Sequence, residues 1–186
     1  MRQEVITRDL YTFNELSDSS KQHALEELWD LNVDYDWWEF TYDDAAHVGI
    51  KITGFDLDRG RDIDGGLTEA AIDVAENILR EHGGMCETYK TAKAFLDLII
   101  PVKARHEKAE RIAEDYGHHK LSGRVYDLQV ELENQIEELE DEFTRDILAD
   151  YLQILDREYD YLTSEEAIIE SIEANKYEFT EEGDLA

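Results

Sequence analysis

The chain has one cysteine and one proline in 186 residues, and only 18 lysines and arginines against 47 aspartates and glutamates. A single thiol, Cys86, excludes an intramolecular disulfide framework and fits a reducing compartment. The sole proline, Pro101, and the lack of any Pro/Gly/Ser-rich stretch leave no linker signal between domains. No apolar run approaches the roughly 20 residues that span a bilayer. Residues 1–16 (MRQEVITRDLYTFNEL) hold no apolar segment of signal-peptide length. A soluble, cytoplasmic protein is therefore expected. The shortage of cations leaves a formal charge of −29. Phosphates demand a net basic face, so direct nucleic-acid binding is disfavoured, as is an anionic membrane surface.

What is present can still build a core. Hydrophobic residues make up 42% and aromatics 10%, more than a disordered acidic chain carries. The charge is uneven. Residues 1–60 hold 14 acids and 5 bases, residues 61–130 hold 13 and 10, and residues 131–186 hold 20 and 3. Uniform halophilic acidification would not concentrate the excess in the last third.

Periodicity predicts an α+β, mainly helical fold with a small antiparallel sheet and a long acidic antiparallel helical hairpin. Residues 4–7 and 11–13 read as extended. Ser17 is placed to cap a helix to about Leu31, with Ala24, Leu25, Leu28 and Leu31 on its buried face. A second helix is expected over 35–47, a strand over 50–55, a partner strand near 63–67, and a helix over 68–82 stopped by Gly83 and Gly84. A first long arm follows, kinked or restarted at Pro101. After a turn at 117–123 comes a second arm with apolar residues at 125, 128, 132, 136, 139, 143, 147, 151, 155, 159 and 162. Their mean step is longer than the 3.5 of a strict heptad, so a long helix packed on its neighbour fits better than a parallel coiled coil. Ser164 or Thr163 caps a last helix, and residues 177–179 read as a closing strand that pairs with 50–55. The organisation expected is an α+β part at 1–87, the hairpin at 88–162, and a C-terminal helix and strand at 163–186 packing back on the first part.

Catalytic signatures are missing. Residues 56–65 (DLDRGRDIDG) are rich in acids, but neither register satisfies a calcium loop with acids at 1, 3 and 5, glycine at 6 and glutamate at 12. A solvated turn between strands is the simpler reading; a metal-dependent enzyme built on this loop ranks third among the functions weighed. The six histidines show no HExxH and no ligand spacing of a known type. Glu114 and His118 are four apart, but a di-metal bundle needs a second such pair. No GxSxG, Walker loop or GxGxxG occurs. Cys86 has no base partner in sequence and reads as a semi-buried structural thiol. The expectation is a non-enzyme with no metal and no cofactor.

The informative features are acidic geometry and interleaved aromatics. Glu138, Glu142, Asp146 and Asp150 form an i,i+4 series, read as one helix face with a carboxylate roughly every 6 Å. That is of the order of phosphate spacing along a nucleic-acid strand, so the series can substitute for phosphates in a basic groove. Glu133, Glu137 and Asp141 flank it. Lys103, Arg105, Lys108 and Arg111 on the first arm could neutralise part of it, leaving most of the charge exposed. Residues 34–44 (DYDWWEFTYDD) mix aromatics with acids. There Trp37, Trp38 and Tyr42 are candidate partner contacts, although adjacent helical tryptophans usually place at least one ring in the core.

Residues 11–17 (YTFNELS), 32–39 (NVDYDWWE), 52–60 (ITGFDLDRG), 86–96 (CETYKTAKAFL) and 172–180 (IEANKYEFT) resemble a family of small acidic phage and prophage proteins. The resemblance implies a mobile-element origin and action inside a bacterium, and it transfers no catalytic residue. Small acidic phage proteins include inhibitors of host defence nucleases, CRISPR or restriction, that imitate nucleic acid. The leading expectation is stoichiometric inhibition of a basic, nucleic-acid-binding host defence protein. The alternative is a regulatory or antitoxin-like interaction module with ordinary solvated charge. A homodimer would extend the acidic surface, but no apolar seam decides for one.

Overall fold

Ile50 and Ile52 point inward while Lys51 points out, the alternation of a strand with one covered face. This strand belongs to the second of two compact units into which the chain divides. The structure, a computed structural model, describes residues 9–116 and 123–186. In chain order its elements are β1 (Tyr11–Thr12), a 3-10 turn (Phe13–Glu15), α1 (Asp18–Glu27), α2 (Glu39–His47), β2 (Ile50–Asp56), β3 (Asp62–Leu67), α3 (Ala71–Glu81), α4 (Glu87–Tyr116), α5 (Gly123–Leu162), α6 (Glu165–Asn175) and β4 (Glu178–Phe179). The fold is α+β and mainly helical, with two two-stranded antiparallel sheets. One unit holds the described residues up to Glu39 together with Leu155–Ala186; the other is Phe40–Ile154. The boundary falls at the first residue of α2 and inside α5.

In the unit Phe40–Ile154, β2 and β3 form a hairpin with a bulge between Ile52 and Gly54. Gly65 is required there: a Cβ would come within 2.6 Å of the Lys51 carbonyl oxygen and 3.0 Å of Leu148. Ile50, Ile52, Val74, Ile78, Phe95, Ile99, Phe143, Ile147 and Tyr151 share one core, to which β2, α3, α4 and α5 all contribute. Phe95 and Phe143 stack at 4.3 Å between ring centres. A second cluster, Val102, Ala109 and Leu132, continues the α4–α5 seam. α4 runs through Pro101 as one helix and does not restart there.

The other unit is organised around Phe13, Leu16, Ala24, Leu25, Ile168, Ile172 and Phe179. Ser17 caps α1 by accepting from the Ser20 N–H, and Ser164 caps α6 by accepting from the Ala167 N–H. α1 ends at Glu27, short of the expected Leu31. Beyond it Asn32 is held by two tertiary bonds, donating to the Leu162 carbonyl and accepting from the Ser171 hydroxyl, which a continued helix would not satisfy. α2 likewise begins at Glu39 rather than residue 35.

The expected pairing of residues 177–179 with 50–55 is corrected: β4 pairs with β1, Tyr11 opposite Phe179 and Thr12 opposite Glu178. The cause is local. Lys176 takes the left-handed conformation (φ 55, ψ 46) at the end of α6. The Tyr177 N–H then returns to the Ile172 carbonyl, reversing the chain toward Phe13, whose ring meets Phe179 edge-on at 6.2 Å. The turn expected at 117–123 lies outside the described residues but for Gly123, the first residue of α5.

Candidate functional site

The acids singled out above all lie on α5. No glycine or proline falls between Arg124 and Leu162, and apolar residues every three or four positions give that helix a buried side. Contacts rise along α4 as they fall along α5: Thr91 donates to Asp150 (2.6 Å), Phe95 stacks on Phe143, Lys103 pairs with Glu140 (2.9 Å), and His106 approaches Glu133 (3.4 Å). The two helices are therefore antiparallel, the hairpin of the expected fold.

The single face expected for Glu138, Glu142, Asp146 and Asp150 is corrected by the helix itself. At 3.6 residues per turn, each step of four overshoots a full turn by about 40°, so the series winds about 120° around α5. Glu138 lies on the outer side, sharing a shallow groove with Asn134, Glu137, Asp141 and Arg145. Glu142 and Asp146 wall a different groove, on the side that meets α4 near Lys90 and Thr91. Asp150 is carried further round and is half-buried, accepting from Thr91. Glu133 and Glu137 lie on the opposite flank, in a groove with Lys103, His106, Glu107, Ile136 and Glu140. The exposed members, Glu133, Glu137, Glu138, Asp141, Glu142 and Asp146, thus sheathe the solvent side of α5 rather than line it. Of the four α4 cations expected to answer them, Lys103 reaches across to Glu140, while Arg111 pairs within its own helix with Glu107 (3.4 Å). Arg145, which the sequence reading passed over, stands among the outer acids; its spacing of four from Asp141 was the available signal.

The aromatic candidates divide. Trp37 is buried (6% exposed), with Trp38 edge-on at 5.7 Å and Tyr159 tilted at 5.7 Å. Its ring is core; both tryptophans precede α2, so the turn before that helix, not the helical spacing expected, sets them apart. Trp38 is half-buried. Tyr42 is half-buried against the core of its unit and meets the Phe55 ring edge-on at 6.2 Å.

A polar network, enclosed at Tyr151 and Thr88 and open to solvent at Asp44, escaped the sequence reading because its members are far apart in the chain. The Tyr151 hydroxyl donates to Asp44 Oδ2 (2.9 Å), His82 Nε2 lies 3.5 Å from the same oxygen, and His82 Nδ1 is 2.8 Å from Thr88 Oγ1. His82 Nε2 is buried and makes no hydrogen bond of good geometry. The neighbouring imidazole, and then the Tyr151 hydroxyl, hold the Asp44 carboxyl below the usual range against the opposing effect of burial. Burial first, and the Asp44 charge second, push the Tyr151 hydroxyl up. A carboxylate, imidazole and hydroxyl in line can activate a nucleophile only if that nucleophile is reachable. Thr88 is 2% exposed and the Tyr151 side chain is fully enclosed, so the line ties α2, α3, α4 and α5 together.

Other chemistry-bearing groups are simpler. Asp56 spends Oδ1 on the N–H groups of Asp58 (2.8 Å) and Arg59 (3.4 Å), and Asp62 spends Oδ1 on the N–H of Ile63 (2.9 Å). The Asp56 bonds shape the turn between β2 and β3, whereas Asp62 and Ile63 already belong to β3, so only residues 57–61 of the expected turn lie outside the strands. Cys86 is exposed. His23, Glu27 and Asp184 bring ligand-type atoms within 4.8 Å of one another, all on exposed side chains. No helix among the described residues is long and apolar enough to cross a membrane. In comparisons with family models, with curated proteins and with solved structures, nothing matches this chain.

Proposed function

We propose that this chain is a non-enzymatic acidic inhibitor, encoded by a phage or prophage, that occupies the basic groove of a nucleic-acid-binding host defence protein such as a CRISPR effector or restriction enzyme. One observation carries the reading: the sheath of exposed carboxylates on α5, formed by Glu133, Glu137, Glu138, Asp141, Glu142 and Asp146. A nucleic-acid duplex presents charge around its girth, and a sheath imitates that more closely than a single line of carboxylates. Counter-charges on the partner then meet acids from several sides of one rod. Asp150, engaged by Thr91, and Trp37, enclosed by its neighbours, are left with supporting roles.

The test is recovery of a partner from the lysate of a defence-bearing bacterium, nuclease-treated, at low and high salt, followed by competition with duplex DNA. A basic nuclease subunit released by salt and displaced by DNA is the expected result. The variant Glu138→Lys/Glu142→Lys/Asp146→Lys should lose it while keeping its helical circular dichroism. A variant that still binds rules the sheath out. The second reading, a regulatory or antitoxin-like interaction module, draws on the exposed Leu98 beside the α4–α5 groove and predicts a partner that salt does not release.

A further inference from the structure

The groove that Glu142 and Asp146 wall is built differently from the rest of the acidic surface. Its lining from α4 is Thr91, Ala94, Phe95 and Leu98; from α5 it is Leu139, Glu142, Phe143 and Asp146, with Lys90 at one end. Both sets follow i, i+3, i+4, i+7. Two antiparallel helices therefore turn two full helical turns each toward one shared line, with a volume of about 340 Å³ between them. The stacked pair Phe95 and Phe143 forms a rigid floor. Above it Leu98 is 57% exposed and Ala94 is exposed, apolar surface with no covering element among the described residues. The walls are unlike. On the α5 side stand two carboxylates. On the α4 side the one cation, Lys90, is already paired with Glu87 at 2.7 Å.

We propose that this groove receives an amphipathic α-helix of a partner protein, with its apolar stripe on Phe95, Leu98, Leu139 and Phe143 and its basic flank against Glu142 and Asp146. Two periods of 3.6 facing each other match a third helix and not an extended strand, whose side chains alternate at period 2. Charge complementarity chooses the occupant. A net charge of −29 repels an acidic helix at long range, and the two wall carboxylates need cations once water is excluded. The inference shares with the proposed function only the premise of a basic partner; it needs neither a nuclease nor a phosphate mimic.

The probe is a synthetic, fluorescein-labelled helical peptide with leucine at i, i+3, i+4 and i+7 over two turns and lysine along one flank, compared with a scrambled peptide of identical composition. Both are titrated by fluorescence anisotropy against the full chain. The patterned peptide should bind at one per chain, at least about tenfold more tightly than the scrambled one. Ala94→Trp fills the groove from an exposed position without entering the core, and should weaken the patterned peptide about tenfold or more with the melting temperature unchanged. Glu142→Gln/Asp146→Asn should weaken it severalfold and flatten its salt dependence. Equal binding of the two peptides, or indifference to Ala94→Trp, overturns the proposal. Indifference to the double amide variant overturns the basic flank. Sedimentation of the protein alone supplies the remaining control: a dimer that Ala94→Trp dissolves would mean that a second copy fills the groove, and would also overturn the proposal. A peptide that binds as expected while no nuclease is ever recovered would separate this groove from the proposed function.

Discussion

Gly183, at φ +99, sits where an added Cβ would collide with the Ser20 carbonyl, so the C-terminal tail lies directly on α1. Ser20 Oγ donates to the Glu181 carbonyl (2.8 Å), and His23 Nε2 meets Asp184 Oδ1 at 2.9 Å. The hydrogen bond to Asp184 raises the His23 pKa above its ordinary 6.5 against an opposing desolvation, with smaller help from the Asp184 charge and then from Glu27 and Glu26. A group whose folded pKa is raised contributes its stability below the unfolded pKa and loses it as pH rises through the folded one. The tail contact should therefore hold below pH 6.5 and weaken as pH rises through the raised midpoint. An imidazole NMR titration reads this directly: Asp184→Asn should lower the His23 midpoint back toward 6.5, since without Asp184 the desolvation opposes Glu27 and Glu26. A midpoint that does not fall would place the cause elsewhere. None of this was readable from the chain, because His23 and Asp184 are 161 residues apart and a lone exposed histidine carries no pattern.

At the scale of elements, what repeats was legible and what occurs once was not. The β2–β3 hairpin followed from alternation at Ile50 and Ile52, and α5 from an apolar series too long to be anything but a helix. Strands of two residues have no period, so β4 gave no sign of its partner; that was decided by one left-handed residue, Lys176. Pro101 shows the same limit from the other side. Proline deletes the N–H that would bond to the residue 97 carbonyl and crowds that turn, which argues for a break. The helix continues because Ile99 and Val102 on either side of it are buried in the α4–α5 seam, and their burial offsets the loss. Pro101 itself is exposed. Pro101→Ala should therefore restore the bond without disturbing the seam and stabilise this unit by about 1–3 kcal/mol. Urea unfolding followed at 222 nm measures it, with the two compact units allowed separate transitions. A loss of stability would mean that the seam depends on the shape proline imposes there.

For the whole molecule, composition announced the acidity but not its arrangement. An i,i+4 count treats residues as stacked on one line, whereas the helix carries each carboxylate about 40° past the last, so the acids spread around α5. The consequence is energetic as well as functional. Residues 131–186 hold 20 acids against 3 bases. On α5 the pairs 133–137, 137–141, 138–142 and 142–146 set like charges about 6 Å apart. That is inside the Debye length of about 10 Å at 0.1 M salt, so dilute buffer leaves the repulsion largely unscreened. Each such pair costs about 0.2–0.5 kcal/mol on an exposed helix. Salt acts in the other direction on the ion pairs, but Lys90–Glu87 and Arg111–Glu107 are exposed pairs within one helix, each worth about 0.3–0.5 kcal/mol, and half-exposed Lys103–Glu140 contributes at most about 1 kcal/mol. Repulsion wins that comparison. Raising sodium chloride from about 0.02 M to about 0.5 M should stabilise the protein by about 1–2 kcal/mol, whereas the same change should loosen a partner held by those acids. Urea midpoints at the two salt concentrations test the first half. Sucrose at matched osmolality separates screening from exclusion of solute. Glu138→Gln/Glu142→Gln/Asp146→Asn should be more stable than the parent in dilute buffer and should lose much of the salt response. If stability instead stays flat or falls with salt, the sheath is neutralised within the fold, and the charge on which binding to a basic partner depends is already spent.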